Sequence, residues 1–119
     1  MFGTFVPGLL SKMENGLLLS QGLTSRLLAE SGKQVVNKDG SLSGRAFHFM
    51  PDFGATFEDT RPENPGGWVY LSNSEMETAG EGGVGSITFN SRGEILGYDR
   101  ILRYAKTKVC FVKNILINI

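Results

Sequence analysis

Cysteine is all but absent from this chain: Cys110 is the only one in 119 residues. A lone cysteine excludes an internal disulfide and any zinc site built from several thiolates. Net charge is lacking as well, with 12 Lys and Arg against 12 Asp and Glu. There is therefore neither the basic surface that points to nucleic acid nor an acidic solvating tail. The balance is uneven along the chain. Residues 1–105 hold nine basic and twelve acidic side chains, whereas residues 106–119 add three lysines and no acid. No run approaches the roughly 18 apolar residues of a membrane-spanning helix, so no membrane span is expected. The N-terminus has no basic start, and Pro7, Gly8, Lys12 and Glu14 interrupt its apolar residues, which makes it a poor secretory leader.

What is abundant is glycine. Sixteen of them are about twice average usage, which favours a turn-rich β architecture over a helical bundle. The length suits one domain at most. Residues 1–21 read as an irregular lead-in broken by Gly3, Gly8 and Gly16. The run Leu23 to Gly32 reads either as one short helix, with Leu23, Leu27 and Leu28 on a shared face and Gly32 as its stop, or as a strand followed by a turn. Residues 33–44 hold one short strand and an Asp39-Gly40 turn signal. Between Phe47 and Phe57, aromatics are punctuated by Pro51 and Gly54, which predicts a loop and then a strand around Ala55–Phe57. Residues 58–67 predict a surface turn.

Trp68 to Glu75 alternates as a strand, with Trp68, Tyr70, Ser72 and Ser74 on one face and Val69, Leu71, Asn73 and Glu75 on the other. Val84–Phe89 and Glu94–Leu102 flank Asn90-Ser91-Arg92-Gly93, a hairpin connection in which Gly93 supplies the positive φ angle. Three adjacent antiparallel strands of this kind resemble most of one propeller blade. The fold class expected is all-β, an incomplete propeller fragment of antiparallel strands, with a short helix near residues 23–31 as the open alternative.

Gly80-Glu81-Gly82-Gly83-Val84-Gly85 matches G-x-G-x-x-G literally. A dinucleotide site needs a helix immediately afterwards. Here Ser86-Ile87-Thr88-Phe89 alternates like a strand, so the match is chance in a glycine-rich loop. Glu75, Glu77 and Glu81, with Asn73 and Ser74, place several oxygen ligands within nine residues, a chemistry suited to calcium. The plainer reading is a solvated acidic loop, since no EF-hand spacing is present. His48, four residues before Asp52, is either a packed residue with one hydrogen bond or part of a site. A Ser-His-Asp triad is not indicated by any spacing.

In order, these pieces resemble the PhoX-type alkaline phosphatases. The first block is Gly22-Leu23-Thr24-Ser25-Arg26-Leu27-Leu28-Ala29-Glu30-Ser31-Gly32, and the second is His48-Phe49-Met50-Pro51-Asp52-Phe53-Gly54-Ala55-Thr56-Phe57. The third and most specific is Gly67-Trp68-Val69-Tyr70-Leu71-Ser72-Asn73-Ser74-Glu75, followed by Gly82-Gly83-Val84 and the hairpin. Residues 22–102 are covered. The resemblance implies a β-propeller enzyme, usually exported, that hydrolyses phosphate monoesters at a centre of calcium and iron. Carried over by position, it makes Glu75 the leading metal ligand, with Asn73 and Asp52 behind it and His48 after them; it assigns no catalytic residue.

The chain departs from the pattern in two places. Phe53 stands where the family has glycine. After residue 102 the family's glycine-rich continuation, with a cysteine and further carboxylates, is missing, although Cys110 sits near the expected cysteine. Val109-Cys110 can be encoded by GTATGT, a common intron donor, so residues 109–119 are expected to be a translated intron. The organisation predicted is a lead-in over 1–21, a partial propeller over 22–108 and an atypical tail over 109–119. A chain with too few strands to close a propeller is expected to be inactive alone and to self-associate through open strand edges. The alternatives are a non-catalytic β module that binds calcium through the Glu75–Glu81 loop, and a truncated gene product without function.

Overall fold

The computed structural model describes residues 6–78 and 80–104, so the tail over 109–119 and Cys110 lie outside the described residues. Every regular element within them is a strand. β1 (Val6–Lys12) pairs with β2 (Leu18–Gln21), and β3 (Gln34–Val36) pairs with β4 (Leu42–Ala46), each as a two-stranded antiparallel sheet. β5 (Pro51–Glu58), β6 (Trp68–Ser74), β7 (Gly82–Phe89) and β8 (Ile95–Tyr104) form a four-stranded antiparallel meander in chain order.

One device closes four of the connections. Asn15 Oδ1 accepts the Leu17 amide at 3.2 Å, and Asp39 Oδ1 accepts that of Ser41 at 2.9 Å. Asp59 Oδ1 accepts the Arg61 amide at 3.2 Å, and Asn90 Oδ1 accepts that of Arg92 at 3.0 Å. In each case an Asx side chain caps the backbone two residues on, which reverses the chain locally. Glycines follow at φ +85° (Gly16), +83° (Gly40) and +75° (Gly93), a region that a Cβ disfavours.

The β5–β6 corner adds a polar knot. Arg61 grips the buried Asp59 carboxylate with Nε at 2.8 Å and Nη2 at 2.7 Å, while Asn64 Nδ2 donates to Asp59 Oδ2 at 2.8 Å and to the Phe89 carbonyl at 3.0 Å. Those donors hold the Asp59 carboxyl well below the usual carboxylate range, Arg61 being the main cause and Asn64 the second. The turn expected over 58–67 is thus an organised corner with two buried polar side chains.

The main core lies on one face of the meander. Register sets Trp68 opposite Phe89, Tyr70 opposite Ile87 and Ser72 opposite Gly85, so these six share that face. Val35, Phe47, Ile87, Phe89, Ile95 and Tyr98 form the buried cluster, and Ala29, Trp68 and Tyr70 pack against it. Trp68 and Phe89 stack with ring centroids 4.0 Å apart and planes 11° apart. β3 and β4 lie against β8 and cover this face. The opposite face carries a smaller cluster of Leu71 and Val84 with Ala55, Phe57 and Val69.

Three expectations are corrected. No helix forms over 23–31; residues 23–30 run without regular structure. A helix this short is marginal unless one face is buried, and Leu27 stays 65% exposed while Ala29 takes the core position. Residues 6–21, expected to be irregular, make the β1–β2 hairpin around Asn15-Gly16. β5 begins at Pro51 rather than near Ala55, and it carries an irregularity between Pro51 and Gly54. No helix among the described residues is long and apolar enough to cross a membrane.

Candidate functional site

A polar centre sits where the hydrophobic face of the meander ends. Across the sheet, Ser72 of β6, Gly85 of β7 and Arg100 of β8 occupy one row. The His48 ring lies over the glycine of that row. A Cβ at Gly85 would stand only 2.8 Å from His48 Cε1 and 2.8 Å from the Tyr98 hydroxyl. The last glycine of the chance nucleotide fingerprint therefore admits an imidazole, and Gly82–Phe89 is a strand, with no helix N-terminus for a pyrophosphate.

Both nitrogens of the His48 ring are engaged. Nδ1 lies 3.0 Å from the Tyr98 hydroxyl and Nε2 lies 2.9 Å from Ser72 Oγ. The Tyr98 oxygen also accepts the His48 backbone N–H at 3.2 Å. The arrangement is satisfied when the Tyr98 hydroxyl donates its proton to Nδ1 and Nε2–H donates to Ser72 Oγ. Burial, with the Arg100 charge adding to it, pushes the His48 imidazole down from 6.5 to about 4, against an opposing hydrogen bond with the Asn73 backbone. Burial likewise raises the Tyr98 phenol. At neutral pH the pair is an uncharged hydrogen-bonded unit.

The main chain around His48 is clamped one carbonyl at a time. The Phe47 carbonyl accepts the Gly32 amide at 2.9 Å, and that of His48 accepts Ser31 Oγ at 2.9 Å. The Phe49 carbonyl accepts Ser74 Oγ at 2.7 Å, and that of Met50 accepts the Glu75 amide at 3.0 Å. Met50 is held at φ +51°, the sole non-glycine with a positive φ among the described residues. A side chain in that region costs energy that neighbouring bonds must offset. The clamps on either side of it do so.

Asn73 is buried in β6, Glu75 is half-buried just past the strand end, and Asp52 is exposed in β5. Pro51 pairs with Ser74 and Gly54 with Ser72, so Asp52 and Phe53 together stand opposite the single residue Asn73. This is a β-bulge, which re-aims side chains at a sheet margin. The three residues expected to bind metal thus lie at the same end of the β5–β6 pair. Glu77 and Glu81 are exposed in the following loop, whose Glu81 carbonyl accepts Ser74 Oγ at 3.2 Å and Arg100 Nη2 at 2.5 Å.

The donor set is incomplete as a metal centre. Among the described residues no group of three His, Cys, Asp or Glu side chains is placed to hold an ion. Asp52 in β5 and Glu75 just past the end of β6 carry the carboxylates, and both nitrogens of His48 are already engaged. The Ser72–His48 contact has the spacing of a nucleophile and its base. At 1% exposure, however, Ser72 is sealed from any substrate.

Sequence reasoning missed Tyr98, Ser31 and Arg100. Tyr98 lies 50 residues from His48 and reads as one more strand aromatic, so no local signal ties the two together. No family model, curated protein or solved structure matches the chain.

Proposed function

We propose that this chain is one blade and its flanking segments from a PhoX-type alkaline phosphatase. In this reading Glu75 and Asp52 serve a calcium centre that later blades complete, and the chain alone hydrolyses no phosphate monoester. One observation carries the reading. The three blocks that resemble the family, far apart in sequence, come together around His48: Ser31-Gly32 from the first, His48 to Asp52 from the second, and Ser72 to Glu75 from the third. A four-stranded antiparallel meander is also the make-up of one propeller blade.

The residues present fit the calcium site only in part. Two carboxylates and an amide at one sheet end are hard oxygen donors of the right kind, but calcium takes six to eight oxygens and the described residues do not gather them. When bound, such an ion polarises a phosphate ester. This chain's own contribution is to hold the Ser72–Glu75 strand end rigid through the His48 clamp. No chemical step and no iron ligand is assigned to it.

The test is hydrolysis of an aryl phosphate by the purified chain, with calcium and with a chelator. The expected result is no turnover in either condition. Chelator-sensitive turnover would overturn the reading, because it would mean that the chain holds a complete centre.

A further inference from the structure

Beside the His48 clamp, on the solvent side, lies a depression of about 200 Å³. Its walls are of two kinds. Phe47, Phe49 and Met76 supply apolar surface, and Arg100 and Arg103 supply charge. Among the described residues neither guanidinium forms an ion pair with a carboxylate; the salt bridges there are Lys33–Glu30 and Arg61–Asp59. Arg100 spends Nη2 on the carbonyls of Glu81 and Gly82, at 2.5 and 2.9 Å, and Nε has no partner. Those backbone bonds fix the guanidinium plane at the pocket without neutralising it. The one acid in the lining, Glu81, leaves the site with a net positive charge, and His48, neutral at neutral pH, adds none.

We infer that this depression binds a small organic carboxylate carrying an apolar body, the carboxylate on the Arg100–Arg103 side and the body against Phe47, Phe49 and Met76. The exposed Arg103 guanidinium offers a planar fork that matches a carboxylate, and the fixed Arg100 cation beside apolar walls adds discrimination by charge and shape. The volume suits a ligand of benzoate size. The inference is independent of the Glu75 reading, since it draws on other residues and needs no metal.

The test is titration of the full chain with benzoate, with benzamide (the same shape without charge) and with inorganic phosphate (charge without an apolar body). Benzoate is expected to bind most tightly of the three. Arg103→Ala, at an exposed side chain that holds no backbone carbonyl among the described residues, should weaken it by about tenfold. Glu81→Gln should tighten it several-fold by removing the competing charge. Equal binding of benzoate and benzamide would overturn the inference, as would phosphate binding as tightly as benzoate. So would benzoate affinity unmoved by both substitutions, with the fold intact by near-ultraviolet circular dichroism.

Discussion

Tyr98 holds His48 twice, once through Nδ1 at 3.0 Å and once through the backbone amide at 3.2 Å, across 50 residues of chain. A single phenol thus fixes both the ring and the main chain of the residue on which the site is built. Removing that hydroxyl strands a buried amide and a buried ring nitrogen. Tyr98→Phe is therefore expected to lower unfolding stability by about 1–3 kcal/mol in urea denaturation, although the ring itself still fills the core.

Acid should loosen the same centre. In the unfolded chain His48 titrates near 6.5, and in the folded chain near 4. Between those values the unfolded state takes up the proton and the folded state does not. The contribution is full above 6.5 and declines as pH falls towards 4. The expected loss is about 2 kcal/mol, less than the whole shift implies because solvent screens part of it. His48→Gln should flatten the stability profile across this window, and urea midpoints at pH 7, 5.5 and 4 would show it. A wild-type midpoint constant from pH 7 to 4 would mean that the imidazole is not buried neutral.

Two glycines of the meander should behave oppositely. A Cβ on Gly85 collides with His48 and Tyr98, whereas a Cβ on Gly97 meets nothing within 4 Å. Gly85→Ala is expected to cost about 1–3 kcal/mol through overpacking. Gly97→Ala, at a half-buried position where the added Cβ meets open space, should fall within about 0.5 kcal/mol of wild type. Thermal melts of the two variants side by side measure the difference.

Much of the meander is legible in the sequence because its signals are local. Alternation from Trp68 onward and the Asn90–Gly93 turn carry their own geometry, and β6, β7 and β8 follow them. Asn15-Gly16 is an equally strong hairpin signal, but leucine-rich flanks without alternation hide it. The 23–31 segment fails as a helix because tertiary packing selects Ala29 for the core and leaves Leu27 in solvent.

The site is legible only in part. Glu75, Asn73 and Asp52 are found by residue type and by resemblance, and the structure places them at one sheet end. Their support is not legible, since it runs through Ser31, Tyr98 and Arg100, whose contacts with His48 and with the Glu81 and Gly82 carbonyls span 17 to 50 residues. A serine hydroxyl that clamps a carbonyl looks the same in sequence as one in water.

Calcium titration of the full chain tests the central claim most directly, comparing wild type with Glu75→Ala, Asp52→Ala and Glu58→Ala. Glu58, exposed at the far end of β5, is the control. The account predicts weak binding by wild type, with a dissociation constant on the order of a millimolar as befits a partial donor set. Glu75→Ala and Asp52→Ala should each lose it, and Glu58→Ala should keep it. No binding by wild type, or equal binding by all four chains, would contradict the assignment of this sheet end to a calcium centre.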